Sequence, residues 1–518
     1  MSVGRTWAIA LSGLVGDLVE VEADLSNQTP AFRIVGLADR ALTEAQQRVH
    51  NACANSGLPL SRRRVTVNLS PASLPKHGSG FDLAIAIAAL ATELPMDAAS
   101  LAETVHIGEL ALDGRLRPVP GVLPAVLAAA RGGRRQVVVP EASRAEAELV
   151  DGIRVVACRS LAAVARWHGL DVAEPVPTEH AVTDDGKSGG AAAAEATQAP
   201  RPDLAEVRGQ AEAVDALIVA AAGGHHLLMS GPPGAGKTML ARRLSGILPD
   251  LDDDTALQVA SIRSLSGTAV TTLTREPPFE APHHSASVAA LVGGGSRELR
   301  PGAIARASGG VLFLDEAGEY GAHALDSLRQ PLEEGSIEIH RAGFRAVLPA
   351  RFQLVLATNP CPCGQYGVRG GTCSCPSLAI RRYVGRLSGP LLDRIDIELG
   401  LSRVSLADLS SSADTTISTR VARERVVGAR ERAARRLAAT PWRTNAAVPG
   451  SWLRDGPLAP AADVRRPLDS ALQRGALTLR GYDRVLRVAW SVADLRGGET
   501  LQLDDIGHAL YLKKGIGA

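Results

Sequence analysis

The stretch HHLLMSGPPGAGKTMLARRL, residues 225–244, restricts the fold more than any other part of the chain. A short apolar run leads into G-x-x-x-x-G-K-T, and a helical pattern follows at once. Strand, glycine loop and helix in that order make the phosphate-binding turn of an α/β domain built on a parallel sheet. A phosphate chain needs backbone N–H groups that converge on it. Gly231, Gly234 and Gly236 let the loop bend that tightly, with Pro232, Pro233 and Ala235 between them. Lys237 is placed to reach the β- and γ-phosphates and Thr238 to ligate Mg²⁺. The following helix offers its positive N-terminal end. Only five of the 56 basic residues are lysines, so a lysine at this position is hard to dismiss as background.

Two more apolar runs end in polar residues, as parallel strands with a site at their C-terminal edge should. GGVLFLDEAGE, 309–319, predicts a buried strand ending in Asp315, for the Mg²⁺ shell, and Glu316, to polarise an attacking water. FQLVLATN, 352–359, ends in Asn359, placed to orient that water beside the γ-phosphate. Further on, GRLSGPLLDRIDIELG carries Arg394. Phosphoryl transfer gains greatly from an arginine on the transferring oxygens. A surface ion pair with Asp393 or Asp396 is the plainer alternative.

A chain of 518 residues exceeds a single core, so several domains are expected. Residues 1–170 show a mixed α/β pattern, with strands over 63–70 and 135–141 and helices over 42–57 and 81–94. The first twenty residues read as a folded strand and not as a signal peptide. Residues 171–200, rich in Pro, Gly, Ala and acids, read as a flexible linker. The nucleotide block occupies 201–400, and a helical block 401–518. No apolar run reaches 18 residues without a charge, so no membrane span and a cytoplasmic setting are expected. Net charge is +1, which by itself implies no nucleic-acid partner. Residues 401–518 hold 19 Lys+Arg against 12 Asp+Glu, a surplus compatible with an anionic partner.

NPCPCGQYGVRGGTCSCP, 359–376, holds four of the six cysteines in the pattern C-x-C-x9-C-x-C. In a reducing compartment such clustering suggests metal. Cys361, Cys363, Cys373 and Cys375 can close one tetrahedral Zn²⁺ site, with four reduced thiols in a loop as the alternative. Cys53 and Cys158 read as core residues.

GPPGAGKTM, APHHSAS (281–287), GGVLFLDE, LRQPLEEGSIEIHRAG (328–343), NPCPCG, RRYVGRLSGPLLDRID (381–396) and LRGYDRVLRVAWSVADL (479–495) together resemble the magnesium-chelatase-like AAA+ ATPases, and within them the ComM/YifB family. The resemblance implies ATP and Mg²⁺ as cofactors and a hexameric ring with each site shared between subunits. Arg394 would be the arginine finger given in trans. Arg480 matches the sensor-2 arginine that reaches the nucleotide from the helical lid, with Arg484 as the alternative one turn later. The segment 334–352 resembles a hairpin that points into the pore of related ring helicases, which makes His340, Arg341 and Arg345 candidate DNA contacts. The family implies a DNA motor promoting branch migration as single strands are integrated during natural transformation. A magnesium-chelatase-type motor that remodels a protein partner is the second reading.

NLSPASLPKHGSGFDLAIAIAAL (68–90) and GELALDGRLRPVPGVLPAVLAAARGGRRQVVVPE (108–141) resemble the Lon-protease-type domain. The catalytic serine of that domain falls on Gly80, with Ser79 one place off, and its lysine falls near Leu123. Without a general base a serine is a poor nucleophile, so a Lon-type peptidase is disfavoured and a non-proteolytic domain expected. His283 and His284 read as structural or pore-loop residues, because adjacent side chains rarely face one metal.

Overall fold

The computed structural model of the chain describes residues 3–35, 40–74, 76, 78–173, 202–295, 299–341, 344–368, 370–411 and 416–514. The expected linker lies almost wholly outside these residues.

Residues 4–158 supply a seven-stranded mixed sheet. The expected N-terminal strand is in fact two. Gly4–Ser12 and Val15–Ser26 pair antiparallel in one continuous register, reversing at Gly13, whose φ of +70° suits glycine. Alternation in TWAIALS faces Ala8 and Ala10 into the core. Helix Asp82–Leu90 is buried throughout, as its apolar residues after Asp82 require, and Asp82 is paired with Arg48 at 2.7 Å. Cys53 and Cys158 lie in this core, as expected.

The phosphate-binding turn sits on a five-stranded sheet in the order Phe279–Glu280, Val311–Leu314, Gln353–Thr358, Leu227–Ser230, Ile397–Gly400. All its pairings are parallel. Every residue of Val311–Leu314 and Gln353–Thr358 is buried, which is why the first reads as an unbroken apolar run and the second is apolar from Leu354 to Ala357. Ser230 lies level with Thr358 and Gly400, and Leu227 with Val355 and Ile397. Residues 231–238, 315–316 and 359 therefore share the C-terminal edge of the sheet. Residues 225–226 and 394–396 share the other edge.

Helices Thr419–Arg436 and Leu479–Arg496 pack on Ala211–Gly223 and join one hydrophobic core with the sheet. Thr478 caps the second helix through its bond from Gly481 N. Apolar residues recur with helical spacing, and Tyr482, Val485, Leu486, Val488, Ala489, Trp490 and Ala493 are buried.

The N-terminal sheet is fastened to the nucleotide block at two points. Helix Val122–Arg131 packs on helix Asp253–Leu265, with Gly121 N donating to Ser264 O at 3.1 Å. Gly13 bridges Val347 of the antiparallel hairpin Ser336–Arg341 and Phe344–Pro349.

Candidate functional site

The loop 231–236 wraps the start of helix Lys237–Ile247. Gly234 and Gly236 have φ of +80° and +84°, which a side chain resists. Gly231 is a different case. A Cβ there would lie 2.4 Å from Leu401 O, so the chain just past the strand Ile397–Gly400 leaves no space for one. Lys237 Nζ donates to Gly231 O at 2.6 Å, Pro232 O at 3.0 Å and Asn359 Oδ1 at 3.0 Å. Burial holds the Lys237 ammonium below its usual pKa, while Asp315 and Glu316 pull the other way. Thr238 Oγ1 donates to Asp315 Oδ2 at 2.6 Å. The structure thus gathers Lys237 and Thr238 from the first turn of a helix with Asp315 and Asn359 from the ends of two strands. A hydroxyl and a carboxylate beside a lysine-lined anion cradle fit Mg²⁺ and a nucleoside triphosphate.

Glu316 is the one non-glycine with positive φ, +52°, among the described residues. That conformation costs about 1–2 kcal/mol and is held by its surroundings. Glu316 N donates to Asp315 Oδ1 at 2.9 Å, and Glu319 N closes the turn on Glu316 O at 2.7 Å. Tyr383 presses on Gly318, where a Cβ would come within 2.4 Å of the ring, and Arg386 donates to Gly318 O at 2.6 Å. The Glu316 carboxylate meets His284 Nδ1 at 3.1 Å. His283 stacks on His284, and Tyr320 OH fixes the same loop through Pro282 O at 2.6 Å. Adjacent histidines gave no metal signal in the sequence, and nothing there linked His284 to a residue 32 positions on.

A second feature escaped the sequence reading. Val207, Gly209, Val214, Ile218 and Ile417, with Asp215, Thr416 and Arg425, line a cavity of about 230 Å³. Gln210, beside it, donates to Ala235 O of the phosphate loop at 2.8 Å. A partly apolar cavity with polar groups at its edge, next to the phosphate cradle, suits a nucleotide base. The V-R-G-Q turn lying before an apolar helix was the available signal.

Arg394 and Arg480 come together, but not at their own phosphate loop. Both line a cavity of about 330 Å³ with Asp393, Asp396 and Arg484, at the opposite sheet edge. Four-residue strands at about 3.3 Å per residue put roughly 13 Å between the two edges. Arg394 pairs with Glu333, and Arg480 with Asp393 at 3.1 Å. Burial, then the like charges of Arg329 and Arg480, holds the Arg394 pKa below the usual guanidinium value. Arg480 and Arg484, expected to reach the nucleotide from the helical lid, thus lie beside Arg394 and away from the phosphate loop of their own subunit. The lid helix Leu479–Arg496 begins beside the Arg394 loop, and Arg484 is buried against that loop's backbone.

The four cysteine sulfurs lie within 4.8 Å of one another. Cys361 Sγ is 3.4 Å from Cys363 Sγ and 3.8 Å from Cys373 Sγ, and the latter two are 3.7 Å apart. Tetrahedral zinc at about 2.3 Å from each sulfur requires ~3.8 Å between sulfurs. Tyr366 N donates to Cys361 Sγ at 3.3 Å. The backbone N–H of Gln365, then neighbouring thiols, holds the Cys363 thiol down to about 6, while Cys373 and Cys375 are raised, a backbone bond to each being outweighed by burial and the neighbouring thiols, so without metal Cys363 alone of these three is pushed towards thiolate. The loop abuts the phosphate turn: a Cβ on Gly364 would sit 2.4 Å from Pro233 Cδ.

The hairpin 336–349 exposes His340 and Arg345, both on Glu338: His340 from the same strand at 3.3 Å and Arg345 from the facing strand in a close ion pair. The side chain of Arg341 lies outside the described residues. In the front domain Leu123 is fully buried, and Lys76 Nζ is held by Pro71 O at 2.6 Å and Leu74 O at 3.2 Å.

Three family models describe most of the chain. Magnesium chelatase, subunit ChlI, matches residues 203–409; subunit ChlI of Mg-chelatase matches 21–143; and the ChlI C-terminal model matches 416–513. The competence protein ComM of Haemophilus influenzae is 39% identical over 98% of this chain and 97% of its own length. The chain belongs to the ComM/YifB family of magnesium-chelatase-like AAA+ proteins. An uncharacterized protein of Mycobacterium tuberculosis is 47% identical over 99% of both chains, and YifB of Escherichia coli 38% over 98% and 97%. A Lon protease of Mycolicibacterium smegmatis matches 29% of this chain at 25% identity. The mixed α/β architecture with a parallel AAA+ sheet and a C-terminal helical region follows the family. No helix among the described residues is long and apolar enough to cross a membrane.

Proposed function

We propose that this protein is an ATP-hydrolysing ring motor that acts on DNA in the cytoplasm, promoting branch migration as incoming strands are integrated. One observation carries the reading: the hydrolytic groups are divided between two edges of the subunit. Lys237, Thr238, Asp315, Glu316 and Asn359 lie on one edge, and the cation cluster of Arg329, Arg394 and Arg480 on the other. Each half needs a neighbour, and a closed ring, here a hexamer, satisfies every half at once. Arg394 then serves the next subunit's γ-phosphate, with Arg480 beside it.

Within one site Lys237 holds the phosphates, and Thr238 and Asp315 hold Mg²⁺. Bound there, Mg²⁺ neutralises phosphate charge. Glu316 takes the proton of the attacking water once it leaves His284, and Asn359 orients that water. Cys361, Cys363, Cys373 and Cys375 hold Zn²⁺ and brace Asn359 from two residues away. His340, Arg341 and Arg345 face DNA in the pore, a role supported by the name competence protein borne by a relative of nearly equal length.

The magnesium-chelatase family models favour a second reading, a motor that remodels a protein partner. Forked DNA separates the two: it stimulates hydrolysis by a DNA motor and leaves a chelatase-type motor unchanged. Mixing tests the ring. Lys237→Ala and Arg394→Ala subunits are each inactive alone, since an arginine finger is worth roughly 10³–10⁵ in rate. Mixed, an Arg394→Ala site beside a Lys237→Ala neighbour is complete, and activity returns. Mixed rings that form yet stay inactive refute the shared site.

A further inference from the structure

Arg484 is the basic residue whose position fits no role assigned so far. It is only 8% exposed, and its Nη1 and Nε face the loop that carries Arg394. Nη1 donates to Leu392 O at 3.2 Å and Ile395 O at 3.0 Å, and Nε lies 3.7 Å from Asp396 Oδ1. These three groups bracket Arg394 in sequence on both sides. Lys513, from the last helix of the lid, adds a bond to Ile395 O at 3.2 Å and one to Glu398 at 2.6 Å.

Asp396 is held from behind as well. His225 Nδ1 meets its Oδ2 at 3.0 Å, and His225 Nε2 meets Ser491 Oγ at 2.7 Å. Asn445 Nδ2 donates to Ser491 Oγ at 3.0 Å and to Asp494 Oδ2 at 2.8 Å, and Arg436 closes the chain on Asp494. His225 and Ser491 are fully buried, and Asp396 nearly so. Burial alone would raise the Asp396 pKa; the His225 bond and nearby cations outweigh it and hold the group at about 2. Arg480, Arg484, Arg487 and Ser491 follow one another at helical spacing along Leu479–Arg496. One face of the lid helix therefore carries the loop that presents Arg394.

We propose that Arg484 is a positioning residue for Arg394, clamping the finger loop to the lid so that the two move as one body. The reading rests on Arg394 serving a neighbouring subunit. Buried carbonyls deprived of a donor are costly, so the loop follows the helix and does not detach from it. A lid that shifts with the state of its own subunit then advances or withdraws the arginine offered to the next.

The test uses the full chain with Arg484→Ala and Arg484→Lys. Lysine keeps the charge but cannot bridge two carbonyls and a carboxylate, so its defect is intermediate. For Arg484→Ala, kcat falls about 10- to 100-fold, the order that a misplaced catalytic group costs, with KM for ATP unchanged. The double variant Arg394→Ala/Arg484→Ala is no slower than Arg394→Ala, because both act through one group. Mixing Arg484→Ala with Lys237→Ala subunits restores activity, as it does for Arg394→Ala. Additive losses in the double variant overturn the proposal, as does failure of mixing to rescue Arg484→Ala where it rescues Arg394→Ala. Failure of mixing to rescue Arg394→Ala itself condemns the shared site instead. Amide exchange over residues 392–396 then still judges the clamp: faster exchange in either Arg484 variant supports it, and unchanged exchange in both overturns it.

Discussion

Removing metal from the four-cysteine loop is expected to slow catalysis far more than it weakens nucleotide binding. The perturbation is Cys373→Ser, or mild chelation of reduced protein. Separations of 3.4–3.8 Å among Cys361, Cys363 and Cys373 match the ~3.8 Å a single tetrahedral zinc requires, with Cys375 within 4.8 Å of them, so about one zinc per chain is lost. The loop touches the site in two places: Asn359 lies two residues before Cys361, and Gly364 packs on Pro233. Lys237 keeps its bonds to Gly231 O and Pro232 O without the loop, so affinity for ATP should change little. Asn359 loses its brace, and a displacement of about 1 Å at a water-orienting group costs on the order of 10²-fold in rate. Metal analysis, nucleotide titration and steady-state hydrolysis on one preparation check all three statements. Reduced protein, never exposed to chelator, that contains no zinc refutes the metal. Zinc-free protein with unchanged kcat refutes the brace.

Lys237→Ala should abolish hydrolysis, and Glu316→Gln should bind ATP while turning over ~10²-fold or more slowly; near-normal turnover of the second removes Glu316 as the base. His284→Ala frees the Glu316 carboxylate, and basal hydrolysis without DNA should rise about fivefold, the worth of a half-exposed ion pair of about 1 kcal/mol; a fall would mean that His284 aims Glu316 productively. Acid should destabilise the fold through His168 and His226, each held at about 4, chiefly by burial. Leu354 N donates to Nδ1 of His226 at 3.0 Å, a bond that a proton there would displace. Both folded values lie below the usual ~6.5, so the stability they contribute is complete above pH 6.5 and is lost as pH falls towards 4, about 2 kcal/mol each at pH 5. Melting curves at pH 7.5 and 5 should show the loss, and His168→Gln should reduce it; identical curves for variant and parent refute the assignment.

The phosphate turn was legible because its chemistry is local. Gly231 to Thr238 are contiguous, and their strand and helix flank them in sequence. The polar ends of the Asp315 and Asn359 strands were legible for a related reason: a buried parallel strand leaves an unbroken apolar signal that stops where the ligand edge begins. The cysteine cluster likewise announced itself within fifteen residues. Some positions depended on pairings between distant segments. His284 reaches Glu316 only because the strand Phe279–Glu280 lies beside Val311–Leu314 in the sheet. Gln210 and the cavity beside it need residues 204–218 to meet residue 417. The sharpest example is Arg480 and Arg484. Helical spacing marked the lid helix correctly, but periodicity gives a helix its buried face and says nothing of which sheet edge its first turn meets. That choice belongs to the tertiary packing, where Asp393, Asp396 and the carbonyls of Leu392 and Ile395 draw both arginines to the edge away from their own phosphate loop.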